Sequence, residues 1–94
     1  MTIKLVRVDD RLIHGQITTG WVRSTGSNLI VVADDDAAAD AMQKNLMKMA
    51  VPPGVSAEIL SIKEASEKLM EGEWSNKNIL LIVRGSVQLL ELVE

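Results

Sequence analysis

The 94 residues carry 10 Lys and Arg against 13 Asp and Glu, a formal charge of −3, with neither the basic cluster nor the interleaved aromatics that a nucleic-acid surface needs. Hydrophobic residues make up 47% of the chain, yet Phe and Tyr are absent and Trp occurs only twice, so one aliphatic, Met-containing core is expected rather than disorder or several domains. The absence of Cys excludes disulfides, thiolate zinc sites and cysteine nucleophiles, no run approaches the roughly 18 apolar residues of a membrane span, and Met1-Thr2-Ile3-Lys4 lacks the apolar stretch of a signal peptide, so a cytoplasmic protein is expected.

Ile3, Leu5, Val6 and Val8 suit a buried strand, whereas Ile13, Ile17, Gly20 and Trp21 recur at helical spacing. The change of period places a strand-to-helix turn at residues 9–14. Ser24-Thr25-Gly26-Ser27-Asn28 ends that helix, with Gly26 as its C-terminal cap. Leu29–Ala33 is a nearly continuous apolar run, the mark of a strand buried on both faces. Asp34-Asp35-Asp36 then opens a helix whose inner stripe is read as Ala38, Met42, Asn45/Leu46 and Met49. Three aspartates invite a metal, but with no spaced ligand set beside them, capping of the helix start is the favoured reading. Met42, Met47, Met49 and Met70 are read as core filler.

Val51-Pro52-Pro53-Gly54 stops the helix, and residues 57–60 form a short strand. Ser61-Ile62-Lys63-Glu64 has the form of a capping box, after which Ile62, Ala65 and Leu69 give a helix its inner face and Gly72 closes it. Trp74 is expected to be half-buried packing in a polar connection. Asn78–Val83 is the most apolar strand, Arg84-Gly85-Ser86 another strand-to-helix turn, and residues 87–94 the start of a helix carrying Leu89, Leu90 and Val93. No repeat or internal domain boundary interrupts this pattern. Four strand-helix units in succession predict the α/β class, an open, mainly parallel sheet with helices on both faces. The turns after Val8, Ala33, Leu60 and Val83 should then share one rim, where such sheets bind ligands.

The only histidine, His14, lies on that rim. With Gly15 and Gln16 opening the helix, it sits among N–H groups that lack intrahelical partners and favour anions, phosphate above all. Its ordinary pKa of about 6.5 leaves a nucleophilic ring nitrogen available near neutrality. Arg11 offers a planar fork to phosphate oxygens, Gly15 lets the backbone approach closely, and Asp9 or Asp10 can orient Arg11 or fix the imidazole tautomer. Arg84 and Ser86 are candidates for a second wall, although Ser86 reads equally well as a helix N-cap. From the residues alone, a lone histidine at a helix start is more commonly a surface or capping group. A receiver-like signalling module is an alternative, since Asp9-Asp10 could bind Mg²⁺, but the third strand ends Ile59-Leu60-Ser61-Ile62-Lys63 without the aspartate that such a module phosphorylates. A nucleotide- or anion-binding module is another, without a Gly-x-Gly-x-x-Gly or Gly-x-x-x-x-Gly-Lys loop to support it.

The run Arg7-Val8-Asp9-Asp10-Arg11-Leu12-Ile13-His14-Gly15-Gln16-Ile17, followed by Trp21, resembles the active-site signature of IIB subunits of the mannose/fructose/sorbose family of the bacterial phosphoenolpyruvate-dependent sugar phosphotransferase system. Leu29-Ile30-Val31-Val32-Ala33-Asp34-Asp35 and Asn45-Leu46-Met47-Lys48-Met49-Ala50 are similar to that family's second strand and helix. The resemblance implies that His14 is the phosphoacceptor on its ring nitrogen nearer the backbone, and that Arg11 stabilises the group in transfer. It implies a phosphorylated IIA protein as donor, a hexose-type sugar as acceptor, and a IIC/IID membrane permease at which the cytoplasmic protein is peripherally held. Neither metal nor other cofactor is expected. The family's domain is longer than this chain, so residues 1–94 are expected to be a single, C-terminally incomplete IIB-like domain that forms homo-oligomers through an edge strand or a swapped terminal helix.

Overall fold

A computed structural model of the chain describes residues 2–8, 15–72 and 74–85. The order of elements is β1 (Thr2–Val8), α1 (Gly15–Thr25), β2 (Leu29–Ala33), α2 (Asp35–Ala39), α3 (Ala41–Met49), β3 (Ser56–Leu60), α4 (Ile62–Glu71) and β4 (Asn78–Val83). The strands form one sheet in the order β1-β4-β2-β3, and every pairing is parallel. The expected helix over 87–94 lies outside the described residues.

This order follows from the connections. The chain steps from β1 over β4's place to β2, continues outward to β3, then reverses to β4. With right-handed crossovers, that reversal puts the last helix on the opposite face from the others. Alternate residues of the central strands accordingly feed two cores. Ile30, Val32, Ile59, Leu80 and Ile82 pack with Val22 of α1, Ala37 of α2 and Met47 of α3. Leu29, Val31, Ala33, Ile79, Leu81 and Val83 pack with Ile62 and Ala65 of α4 and with Trp74. Every residue of β2 is buried, as its unbroken apolar run requires.

Three local signals are realised in the structure. Gly26 and Gly72 follow α1 and α4 at φ 67° and 71°, a left-handed conformation that glycine adopts without steric cost. Ser61 and Glu64 make the reciprocal capping box, the Ser61 hydroxyl accepting from the Glu64 N–H and the Glu64 carboxylate accepting from the Ser61 N–H. Pro52 and Gly54, the latter at positive φ, separate α3 from β3.

Several expectations need correction. The helix after β2 is two helices, because Asp40 is extended (φ −109°, ψ 101°) and caps α3, its carboxylate accepting from the Gln43 N–H. That break resets the helical phase, so the stripe Met42, Leu46, Met49 faces outward while Met47 turns to the sheet. Of the methionines read as core filler, Met47 is 4% exposed, whereas Met42, Met49 and Met70 are largely exposed. Trp74 is buried rather than half-buried, its indole N–H donating to Glu58 Oε2 at 2.7 Å. Finally, β1 is an edge strand of the described sheet, and Ile3, Val6 and Val8, in register with Ile79, Leu81 and Val83 on the face that carries α4, are more than 40% exposed because α4 packs over β2 and β3.

Candidate functional site at the carboxyl edge of the sheet

The four strands finish level with one another. Val8 is in register with Val83, Val83 with Ala33, and Ala33 with Leu60, so the residues that follow them share one rim. Asp9, Asp10, Arg11, His14 and Ser86 lie outside the described residues. Gly15 and Gln16 supply the backbone of the first turn of α1. Arg84 stands directly beyond β4, with β1 on one side and β2 on the other.

Sequence reasoning missed the partner of Arg84. Asp34, at the end of β2, is only 3% exposed. Its Oδ2 accepts from the Ala37 N–H and so caps α2, which is the role expected for these acids. The same carboxylate also receives Arg84 Nε on Oδ1 and Arg84 Nη2 on Oδ2, both at 3.2 Å. This is the bidentate fork that only arginine can make. Asp34 was visible as a cap, but nothing local announced a cation 50 residues away. Removing Arg84 leaves a buried carboxylate with one backbone donor; since the Arg84 side chain is one-third exposed, the cost falls at the low end for such pairs, about 2–3 kcal/mol.

Two neighbours complete the edge. Asp35 Oδ1 accepts from the Ile62 N–H, tying the start of α2 to the start of α4. A shallow cavity of about 320 Å³ lies beside them, lined by Asp35, Ile62, Lys63, Ser66 and Glu67. Its two carboxylates against one ammonium make it a poor seat for phosphate. At the other side of the sheet the Arg7 guanidinium lies over the Trp21 ring, 4.5 Å from its centroid, joining β1 to α1. Arg7 Nε is buried without an acceptor among the described residues. Its place in an alternating strand opposite an amphipathic helix was the available signal for this stack. Among the described residues no three His, Asp or Glu side chains converge as metal ligands do.

An open parallel α/β sheet with helices on both faces, and with Asp34, Asp35 and Arg84 beyond its strand carboxyl ends, defines a doubly wound domain, a class that binds ligands along that edge. The family described as PTS system sorbose subfamily IIB component matches residues 3–94, and the chain belongs to it. It is 34% identical over 94 residues to the mannose-specific PTS EIIAB component of Escherichia coli K12, covering all of this chain and 29% of that protein. It is 32% identical to the sorbose-specific PTS EIIB component of Lacticaseibacillus casei, covering 57% of it. The crystal structure of the IIBSor domain of the Klebsiella pneumoniae sorbose permease superposes with a TM-score of 0.93 at 30% identity, over 99% of this chain and 57% of that one. The chain thus spans well under two thirds of these relatives, which are sugar-specific PTS components.

Proposed function

We propose that the chain is the phosphoryl-carrying part of a sugar-specific IIB component, with His14 as phosphoacceptor. The family match across residues 3–94 carries this reading, because it takes in the whole run from Arg7 to Ile17. A neutral His14 ring nitrogen attacks the phosphorus of a phosphohistidine on a IIA protein. The new N–P bond forms as the donor's breaks, and the donor imidazole keeps the bonding pair. In the second transfer a sugar hydroxyl oxygen attacks that phosphorus, its proton leaves to water or a nearby base, and the His14 nitrogen recovers its electron pair. Charge in flight spreads over the equatorial oxygens. Arg11 and the N–H groups opening α1 at Gly15 and Gln16 meet those oxygens, while Asp9 or Asp10 holds Arg11 and the imidazole in orientation. The sugar enters through a IIC/IID permease, which keeps the protein at the cytoplasmic face of the membrane.

The test is transfer of labelled phosphate from phosphorylated IIA. Wild-type label should survive alkali and be lost in acid, as nitrogen-linked phosphate is, and His14→Ala should take up none while keeping its circular dichroism. Undiminished labelling of His14→Ala would move the acceptor elsewhere.

A further inference from the structure

Asp34 does more than a cap requires. Asp40 and Ser61 cap α3 and α4 with side chains that are not buried. Asn at the Asp34 position would cap α2 equally well, without the cost of burying a carboxylate. Among the described residues Asp34 is the one ionisable side chain in the buried class, and it pairs in two parallel contacts with Arg84. Two contacts fix the guanidinium plane as well as its position. Arg84 follows Val83, whose β1 partner is Val8, so its backbone leaves the sheet about one strand spacing (~4.8 Å) from the end of β1, the last described residue before His14 in that part of the chain. Asp34 holds this cation from the β2 side.

We propose that Arg84 contacts the phosphoryl group in transfer, as a second planar cation beside Arg11, and that Asp34 is the positioning residue that presents it. This rests on the assignment of His14 as acceptor. As the donor N–P bond breaks and the His14 N–P bond forms, Arg84 donates N–H groups to the equatorial oxygens and neither gains nor loses a proton. A cation already oriented by a buried carboxylate loses little freedom on meeting that charge.

The experiment uses the protein at its full natural length, with phosphorylated IIA as donor. Transfer rate, the phosphorus NMR resonance of the phosphohistidine and thermal unfolding are measured for Arg84→Gln, Arg84→Lys, Asp34→Asn and the double variant Asp34→Asn/Arg84→Gln. Arg84→Gln should slow transfer about tenfold to a hundredfold and shift the resonance. Arg84→Lys should recover part of the rate, because it restores charge but not the fork. Asp34→Asn, which keeps the cap, should slow transfer, and the double variant should be no slower than Arg84→Gln. A purely structural ion pair would lower the unfolding temperature and leave the rate per folded molecule and the resonance unmoved. Wild-type rates in Arg84→Gln, or in both Arg84→Lys and Asp34→Asn should the glutamine variant not fold, overturn the proposal. If His14→Ala is meanwhile unlabelled, the acceptor assignment stands without it; if His14→Ala is labelled, that assignment fails first.

Discussion

Strands β4 and β1 run side by side, in continuous register from Leu5 onward, and are both apolar, but they live under different conditions. From Ile79 onward, every residue of β4 is buried between the two layers of helices, with β1 on one side and β2 on the other. β1 has a described neighbour on one side only, and Ile3, Val6 and Val8 remain more than 40% exposed. Stability is therefore concentrated in β2 and β4, while the strand that leads into the His14 turn contributes less.

The strongest way to break this contrast is to hollow the central strand. Ile82→Ala, at a fully buried position facing α1 and α3, should cost about 3–4 kcal/mol in urea unfolding. A loss under 1 kcal/mol would mean that the centre is no more tightly packed than the edge. Next comes the link between β1 and α1. Trp21→Leu removes the ring beneath Arg7 and part of the apolar contact, with an expected loss of about 1–2 kcal/mol. Val8→Ala, at a position 47% exposed, should cost about 0.5–1 kcal/mol, and a loss as large as that of Ile82→Ala would show that something covers β1.

The smallest effect belongs to the far side of the sheet. The Ser61 N–H, and then its hydroxyl, hold the exposed Glu64 carboxyl below the usual glutamate range. Its contribution is complete above the unfolded glutamate pKa and is lost as pH falls through the lowered folded value. Glu64→Gln should unfold at slightly lower urea near neutrality and converge with wild type in acid. A difference that persists in acid would assign the effect to packing instead of charge.

The fold was largely legible because its signals are local: unbroken apolar runs for β2 and β4, a capping box for α4, glycines after α1 and α4. The break at Asp40 went unseen because apolar spacing ran on through it while its capping preference pulled the other way. Once one residue there is extended, the inward face of α3 cannot be projected from α2. Trp74 was underestimated because its partner Glu58 is a carboxylate in a different element, and the exposure of β1 because strand order is not written in alternation. At the carboxyl edge, the acidic run after β2 disclosed its caps, but the Asp34–Arg84 pair depends on β2 and β4 becoming neighbours, a property of the finished sheet. His14 and Arg11 were singled out by a motif and by the chemistry of their side chains.

The strand order also has a consequence in time. β2 meets β3 across 27 residues, but β1, the earliest of the four in chain order, finds its only described partner in β4, some 75 residues further on. Closing that larger loop costs more chain entropy and delays the rewarding contacts. On an emerging chain β2 and β3 can pair early, whereas β1 must wait until β4 has left the ribosome. The turn that carries His14 is therefore framed at a late step of folding, and a chain stalled before Val83 lacks the strand against which that turn is set.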